Sequence, residues 1–66
     1  MHVVINDQKY ALAEEATVKD ALHLLNMTEE GLAVAVNYAV IPKNNWPVHV
    51  LSDGDVVMLV MATQGG

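Results

Sequence analysis

The stretch VVMLVM, Val56–Met61, is apolar at every position and decides the fold. A strand that alternates apolar and polar residues shows one side to water, whereas an unbroken apolar run is typical of a strand inside a sheet. The turn residues SDGD, Ser52–Asp55, come directly before this run and set its start. The stretch therefore predicts a central strand, to which the rest of the chain must supply neighbours.

A second apolar run, LAVAVN, covers Leu32–Asn37. Successive side chains of a strand point to opposite sides, so small Ala33 and Ala35 share one side and larger Val34 and Val36 share the other. Because neither side is polar, the run predicts a strand that is covered on both faces.

Shorter strands are predicted at two other places. The first strand is predicted at HVVI, His2–Ile5, which is rich in β-branched residues. The residues NDQ, Asn6–Gln8, are typical of a turn, and KYALA, Lys9–Ala13, can return as a weaker strand. Together they predict an N-terminal hairpin. AVIP, Ala39–Pro42, predicts a short edge strand, because its final proline has no amide to donate.

The best helix candidate is TVKDALHLLN, Thr17–Asn26. Its apolar residues fall on one stripe at helical spacing: Val18, Ala21, Leu22 and Leu25. Thr17 can cap the free amides, and Asp20 three residues later completes a capping box with Asp in place of Glu. We expect Leu24, on the flank of the stripe, to be exposed. One helix over one face of a mixed sheet predicts an α+β two-layer domain.

Composition excludes several classes of function. Sixty-six residues allow one domain, and the absence of cysteine excludes disulfides, zinc thiolates and a thiol nucleophile. A net charge of −5 without any arginine argues against binding of nucleic acid. The charge is compatible with a basic protein partner, or it only keeps the protein soluble. The N-terminal stretch lacks signal-peptide features, and no apolar run approaches the roughly 20 residues that a membrane span needs. We therefore expect a soluble protein in the cytoplasm.

The residues of a catalyst are missing from the sequence. Ser52, the single serine, belongs to turn chemistry, and the three histidines share no spacing typical of metal ligands. No glycine-rich phosphate loop is present. We expect no catalytic residue, no metal site and no bound cofactor.

The chain ends in MATQGG, and we predict a folded domain over residues 1–62 and a flexible tail over 63–66. Either this tail is a frayed end without a role, or its carboxylate reacts. Because glycine has no Cβ, a Gly65–Gly66 end can pass through a channel too narrow for side chains. A carboxylate is a poor electrophile, but joining it to AMP makes it open to attack by sulfur or nitrogen.

Several motifs occur in an order that is specific for a chain of this length. They are NDQ at 6–8, TV at 17–18, AVN at 35–37, IPK at 41–43 followed by Trp46, DGD at 53–55, and Gly65–Gly66. Across its whole length the sequence resembles the small ubiquitin-like sulfur carriers of the MoaD/ThiS type, and most closely the ThiS family of thiamine biosynthesis. It departs from them at Tyr38, where glycine is common, at Lys43, where arginine is common, and at Thr63–Gln64, where small residues are common.

The resemblance implies a β-grasp fold of about five strands and one main helix. It also implies that a ThiF-like E1 adenylyltransferase uses ATP to adenylate the Gly66 carboxylate, with Gly65 giving clearance. A sulfur donor system such as a cysteine desulfurase then allows a thiocarboxylate to form, and a ThiG-like thiazole synthase takes the sulfur. Two alternatives stay open. They are the small subunit of molybdopterin synthase, and a ubiquitin-like interaction domain whose tail never reacts.

Three residues are candidate partner contacts, each with a simpler interpretation. Trp46 is expected to be a lid packed on the core, or else an anchor for a partner. Lys43 is expected to be solvated, or else to meet a partner carboxylate. Met61, like Met58, is expected to be core filler, or else docking surface.

Overall fold

The computed structural model describes residues 1–61. In chain order the elements are β1 (His2–Ile5), β2 (Gln8–Ala11), α1 (Val18–Leu24), β3 (Leu32–Val36), β4 (Ala39–Val40), a short 3₁₀ helix (Lys43–Asn45) and β5 (Val56–Met61). For the described part of the chain, this order confirms the predicted succession of strands and the one α-helix. The second strand ends at Ala11 rather than at Ala13, and none of the helices within these residues is long and apolar enough to cross a membrane.

All five strands form one mixed sheet in the order β2-β1-β5-β3-β4. The central strand β5 runs parallel to β1 and antiparallel to β3, while β1–β2 and β3–β4 are antiparallel hairpins. The prediction that VVMLVM is a central strand is therefore confirmed. The short strand β4 lies at an edge, as its following proline predicted.

The core lies between one face of the sheet and α1. It contains alternate residues of the three inner strands together with the helix stripe: Val3, Ile5, Leu32, Val34, Val36, Val57, Val18, Ala21 and Leu22. The other positions of β3 are not covered, since Ala33 is exposed and Ala35 is only half-buried. The prediction that this strand is covered on both faces is wrong, because the seven-residue helix lies on one side only.

The helix begins at the predicted cap. The Thr17 hydroxyl accepts a hydrogen bond from the Asp20 amide at 3.2 Å, and the Thr17 amide donates to the Asp20 carboxylate at 2.9 Å. The Thr17 amide, followed by its hydroxyl, lowers the pKa of Asp20 from its ordinary value of 3.8. The helix ends at Leu24 rather than Asn26, because Asn26 adopts a left-handed φ of 56°. Leu24 is 52% exposed, as predicted.

The first prediction concerns this capping box. Thr17→Ala should lower the free energy of unfolding by about 1 kcal/mol, because one amide loses its cap. Urea denaturation at neutral pH measures the change, with Thr28→Ala in the exposed connection after the helix as control.

The same box has a pH dependence with a defined sign. The pKa of Asp20 is lower in the folded state than its ordinary value of 3.8. Its contribution to the free energy of unfolding is therefore fully present above pH 3.8 and is lost as the pH falls through the folded-state pKa. The stability difference between the native chain and Asp20→Asn should therefore shrink in acid. A difference that grew on acidification would contradict the assignment.

Candidate functional site

Within residues 1–61 the side of the sheet opposite α1 is uncovered, and it is apolar over β3, β4 and β5. Directly paired strand residues share a side, and the register pairs Val56 with Val4, Met58 with Ala35, Ala35 with Val40, and Val60 with Ala33. We call these residues the open face: Val4, Ala33, Ala35, Val40, Val56, Met58 and Val60. Val40, Met58 and Val60 are exposed large apolar residues. Contiguous exposed apolar patches are typical of interaction sites, so the open face is the candidate interaction site.

Two hairpin turns are attached to β5 by asparagine side chains. Asn6 accepts a hydrogen bond from the Leu59 amide at 2.8 Å and donates to its carbonyl at 3.2 Å, as a paired strand residue does with its backbone. Asn37 accepts from the Val56 amide at 3.0 Å and donates to the Asp55 carboxylate at 3.1 Å. Both turns are thereby held in place beside the central strand.

Each turn has two successive residues at positive φ, as two-residue hairpins of type I′ require. These residues are Asn6 at 49° and Asp7 at 70° in the first turn, and Asn37 at 51° and Tyr38 at 70° in the second. Asparagine and aspartate tolerate this conformation, but it costs an ordinary L-residue about 1–2 kcal/mol. Tyr38 is therefore strained, and its side chain is 81% exposed.

A groove with a volume of about 250 Å³ lies across β5 between the two turns. It is lined by Asn6 and Asp7 on one side, by Tyr38 on the other, and by residues 56–60 of β5. The strained tyrosine thus forms one wall of a depression that includes part of the open face.

Comparison with known proteins identifies the family of this chain. The model of the ThiS family matches residues 3–66. The chain belongs to the ThiS family. It is 33% identical to the sulfur carrier protein ThiS of Escherichia coli K12 over 66 residues, which cover the whole of both chains.

Solved structures of the family give the same result for the fold. The first is the crystal structure of the thiamine biosynthesis protein ThiS of Geobacter metallireducens, whose sequence is 25% identical to this chain. The two chains superpose over their full lengths with a TM-score of 0.85. A solution NMR structure of a thiamine biosynthesis protein from the same organism gives a TM-score of 0.79 at 25% identity, covering this chain fully and 88% of that one. The predicted β-grasp fold of the ThiS family is therefore confirmed.

Trp46 lies in the core. Its side chain is 2% exposed, and the indole Nε1 donates a hydrogen bond to the Ile41 carbonyl at 2.9 Å. The Trp46 carbonyl accepts from the Lys19 amide at 3.1 Å, which fastens the loop to the first turn of α1. The indole is thus the predicted lid on the core and presents no surface to a partner.

The other candidate contacts are at the surface. Lys43 opens the 3₁₀ helix and is exposed, and within residues 1–61 its ammonium forms no ion pair. Met58 and Met61 are both exposed, so their interpretation as core filler is wrong. Met58 belongs to the open face, while Met61 ends β5 opposite Leu32. A contact of Lys43 or Met61 with a partner stays a prediction.

The two residues predicted to react lie outside the part of the chain that the structure describes. Gly65 and Gly66, and the predicted tail 63–66, follow the last described residue, so their roles stay predictions. Within residues 1–61 no three carboxylate or imidazole side chains come together in a group that could hold a metal ion.

The residues of the open face, and Tyr38 as part of a site, were not predicted from the sequence. The alternation of small alanines in β3 carried the signal for the face. The unusual residue after the Asn of the AVN motif carried the signal for Tyr38.

The second prediction tests the strain at Tyr38. Tyr38→Gly should raise the free energy of unfolding by up to about 1 kcal/mol, because glycine adopts positive φ freely and gives back only part of the gain through its greater unfolded-state freedom. Tyr38→Ala is the matched control and should bring no gain, since its Cβ retains the strain. Equal stability of the two variants in urea denaturation would show that the turn is unstrained.

Proposed function

We propose that this chain is a sulfur carrier of thiamine biosynthesis, whose Gly66 carboxylate is converted into a thiocarboxylate. One observation carries the proposal: the match to the ThiS family extends over residues 3–66 and thus includes the Gly65–Gly66 end. The uncovered apolar face supports it, because a carrier without catalytic residues must bind the enzymes that modify it.

The chemistry takes place in two steps on partner enzymes. In the first, the Gly66 carboxylate attacks the α-phosphate of ATP, so that an acyl-adenylate forms and pyrophosphate leaves. In the second, a sulfur nucleophile attacks the carbonyl carbon and displaces AMP; with sulfide itself the product is the thiocarboxylate. The partner binds the ATP, and this chain supplies the carboxylate.

The open face supplies docking energy for these steps. Ordering each tail residue in a partner's active site costs about 1–2 kcal/mol, which contacts of the folded body must offset. The central strand ends at Met61, five residues before Gly66, and five residues span at most about 17 Å. A partner bound to the open face therefore has its active site close to the same end of the domain.

The partners in this proposal are a ThiF-like E1 adenylyltransferase, a sulfur donor system such as a cysteine desulfurase, and a ThiG-like thiazole synthase that accepts the sulfur. All of them act in the cytoplasm, where ATP is available. The full-length likeness to proteins of thiamine biosynthesis favours this pathway over the small subunit of molybdopterin synthase.

The third prediction is a change of mass. Incubation of the chain with a ThiF-like enzyme, ATP and sulfide should add the difference between one sulfur and one oxygen atom, located on the peptide that contains Gly66. Intact-mass and peptide mass spectrometry measure it, and deletion of Gly66 should abolish it.

The controls separate the alternatives. An unchanged mass, when the same enzyme modifies the Escherichia coli carrier, would reject the carrier role and favour an interaction domain. Sulfur transfer to a molybdopterin precursor but not to the thiazole synthase reaction would move the chain to the sister pathway.

The fourth prediction tests the open face as the docking surface. Val60→Asp should raise the KM of the adenylating enzyme for this chain at least tenfold, because docking then buries an unpaired carboxylate. Leu24→Asp is a matched control, since Leu24 is 52% exposed on the helix and Val60 is 57% exposed on the sheet. Equal KM values for the two variants would place docking elsewhere.

A further inference from the structure

The groove across β5 has walls of different chemistry. Asp7 is the second residue of the β1–β2 turn, and Tyr38 is the second residue of the β3–β4 turn. Because β5 lies between β1 and β3, the two turns are two strand spacings apart across the sheet, about 10 Å. Asn6 bonds to Leu59 and Asn37 to Val56, so the turns are also about 10 Å apart along β5 and face each other diagonally. On the open face the floor between them is formed by Val56, Met58 and Val60. The groove thus has an apolar floor, an aromatic wall and an acidic wall.

The size of the groove limits what it can hold. Its volume of about 250 Å³ is below the roughly 300–1,000 Å³ of small-molecule sites. One long side chain from another protein fits this space better than a nucleotide or another cofactor does.

The charge around the groove determines the sign of its occupant. Asp7 is a lining residue, and no lysine or histidine lines the groove. Asp55 adds negative charge beside it, bonded to Asn37 next to Tyr38. Within residues 1–61 the register puts Lys9 of β2 and His2 of β1 on the same side of the sheet, and Lys9, two residues after Asp7, is three strand spacings from the β3 wall. Neither of these side chains lines the groove, so a cation that reaches the Tyr38 wall comes from a partner, which fits a chain of net charge −5 without arginine.

Arginine matches these walls better than lysine. Its long stem covers apolar surface, and its flat guanidinium stacks on an aromatic ring and pairs with a carboxylate through two hydrogen bonds. We propose that an arginine side chain of a basic partner protein occupies the groove, with its stem on Met58 and its guanidinium between the Tyr38 ring and the Asp7 carboxylate. The identification of that partner as the adenylating enzyme rests on the proposed function, whereas the arginine chemistry does not.

The strain at Tyr38 supports the assignment. The backbone of Tyr38 has a positive φ, which costs free energy. Because the residue is 81% exposed, the packing of its ring stabilises the free domain little. In the complex, stacking of the guanidinium on the ring offsets the free energy of this backbone strain. An exposed aromatic side chain beside methionine is also the kind of residue that dominates binding energy at interfaces.

The first arm of the test uses the chain alone. The ¹⁵N-labelled protein is titrated with N-acetyl-arginine methylamide, and separately with the lysine and citrulline derivatives at equal ionic strength. We expect saturable NMR shifts at the amides of Asp7, Tyr38 and Met58 that are several-fold larger with arginine than with lysine, and absent with neutral citrulline. Equal shifts with lysine, or shifts spread over remote carboxylates such as Glu30, would overturn the proposal.

The second arm uses the adenylating enzyme. Asp7→Asn and Tyr38→Asn keep a residue that tolerates positive φ, so the turns stay intact. Each variant should raise the KM of the enzyme for this chain about tenfold and leave kcat unchanged. In the double variant KM should rise by less than the product of the two single factors, because both side chains contact one guanidinium. Glu30→Gln removes an exposed carboxylate elsewhere and should leave the KM unchanged.

The two arms separate failure of this proposal from failure of the carrier role. If the enzyme modifies the native chain and Asp7→Asn behaves like Glu30→Gln, the arginine site is rejected and the carrier role stands. If the enzyme does not modify the native chain, the carrier role fails and the titration alone decides on the arginine site.

Discussion

The fold depends on β5, because this strand alone joins the two halves of the sheet. Val57 shows how: it pairs with Ile5 on one side and with Val36 on the other, and all three are buried under the helix. Without β5 the chain would be two hairpins, and an isolated hairpin is marginal in water. The two asparagine side chains attach the turns of both hairpins to β5 where the backbone pairing with β1 stops, at Leu59, and where the strand begins, at Val56.

Residues 1–61 cover only one side of the sheet. They supply one short α-helix and one capping loop, and Trp46 in that loop completes the lid over the core. The second face of an apolar central strand is then left to the solvent, which is unfavourable for an isolated protein. For the proposed carrier role, the same uncovered face is the surface on which partner enzymes can bind.

Much of the fold could be predicted from the sequence, and the two failures that concern the open face have one physical cause. Local signals were sufficient for the central strand, the capping box at Thr17 and the exposed Leu24, since each depends on neighbours within a few residues. The coverage of β3 and the burial of Met58 were predicted wrongly, because an apolar run does not reveal whether its second face is covered by the same chain or by another one. The role of Gly66 was predicted from the chemistry of a glycine-ended chain and from the resemblance, and it stays a prediction because the described residues end at Met61.

The two turns show why asparagine suits these positions better than glycine. Glycine would adopt the same positive φ without cost, but it has no amide side chain and would leave the Leu59 and Val56 amides without the bonds that Asn6 and Asn37 make. Those bonds fix the turns relative to β5 and therefore fix the positions of the neighbouring residues Asp7 and Tyr38. A binding surface that is rigid before the partner arrives loses less conformational entropy on docking. More of the contact energy then remains as affinity for the partner, so the rigidity of the turns favours a binding role for the surface between them.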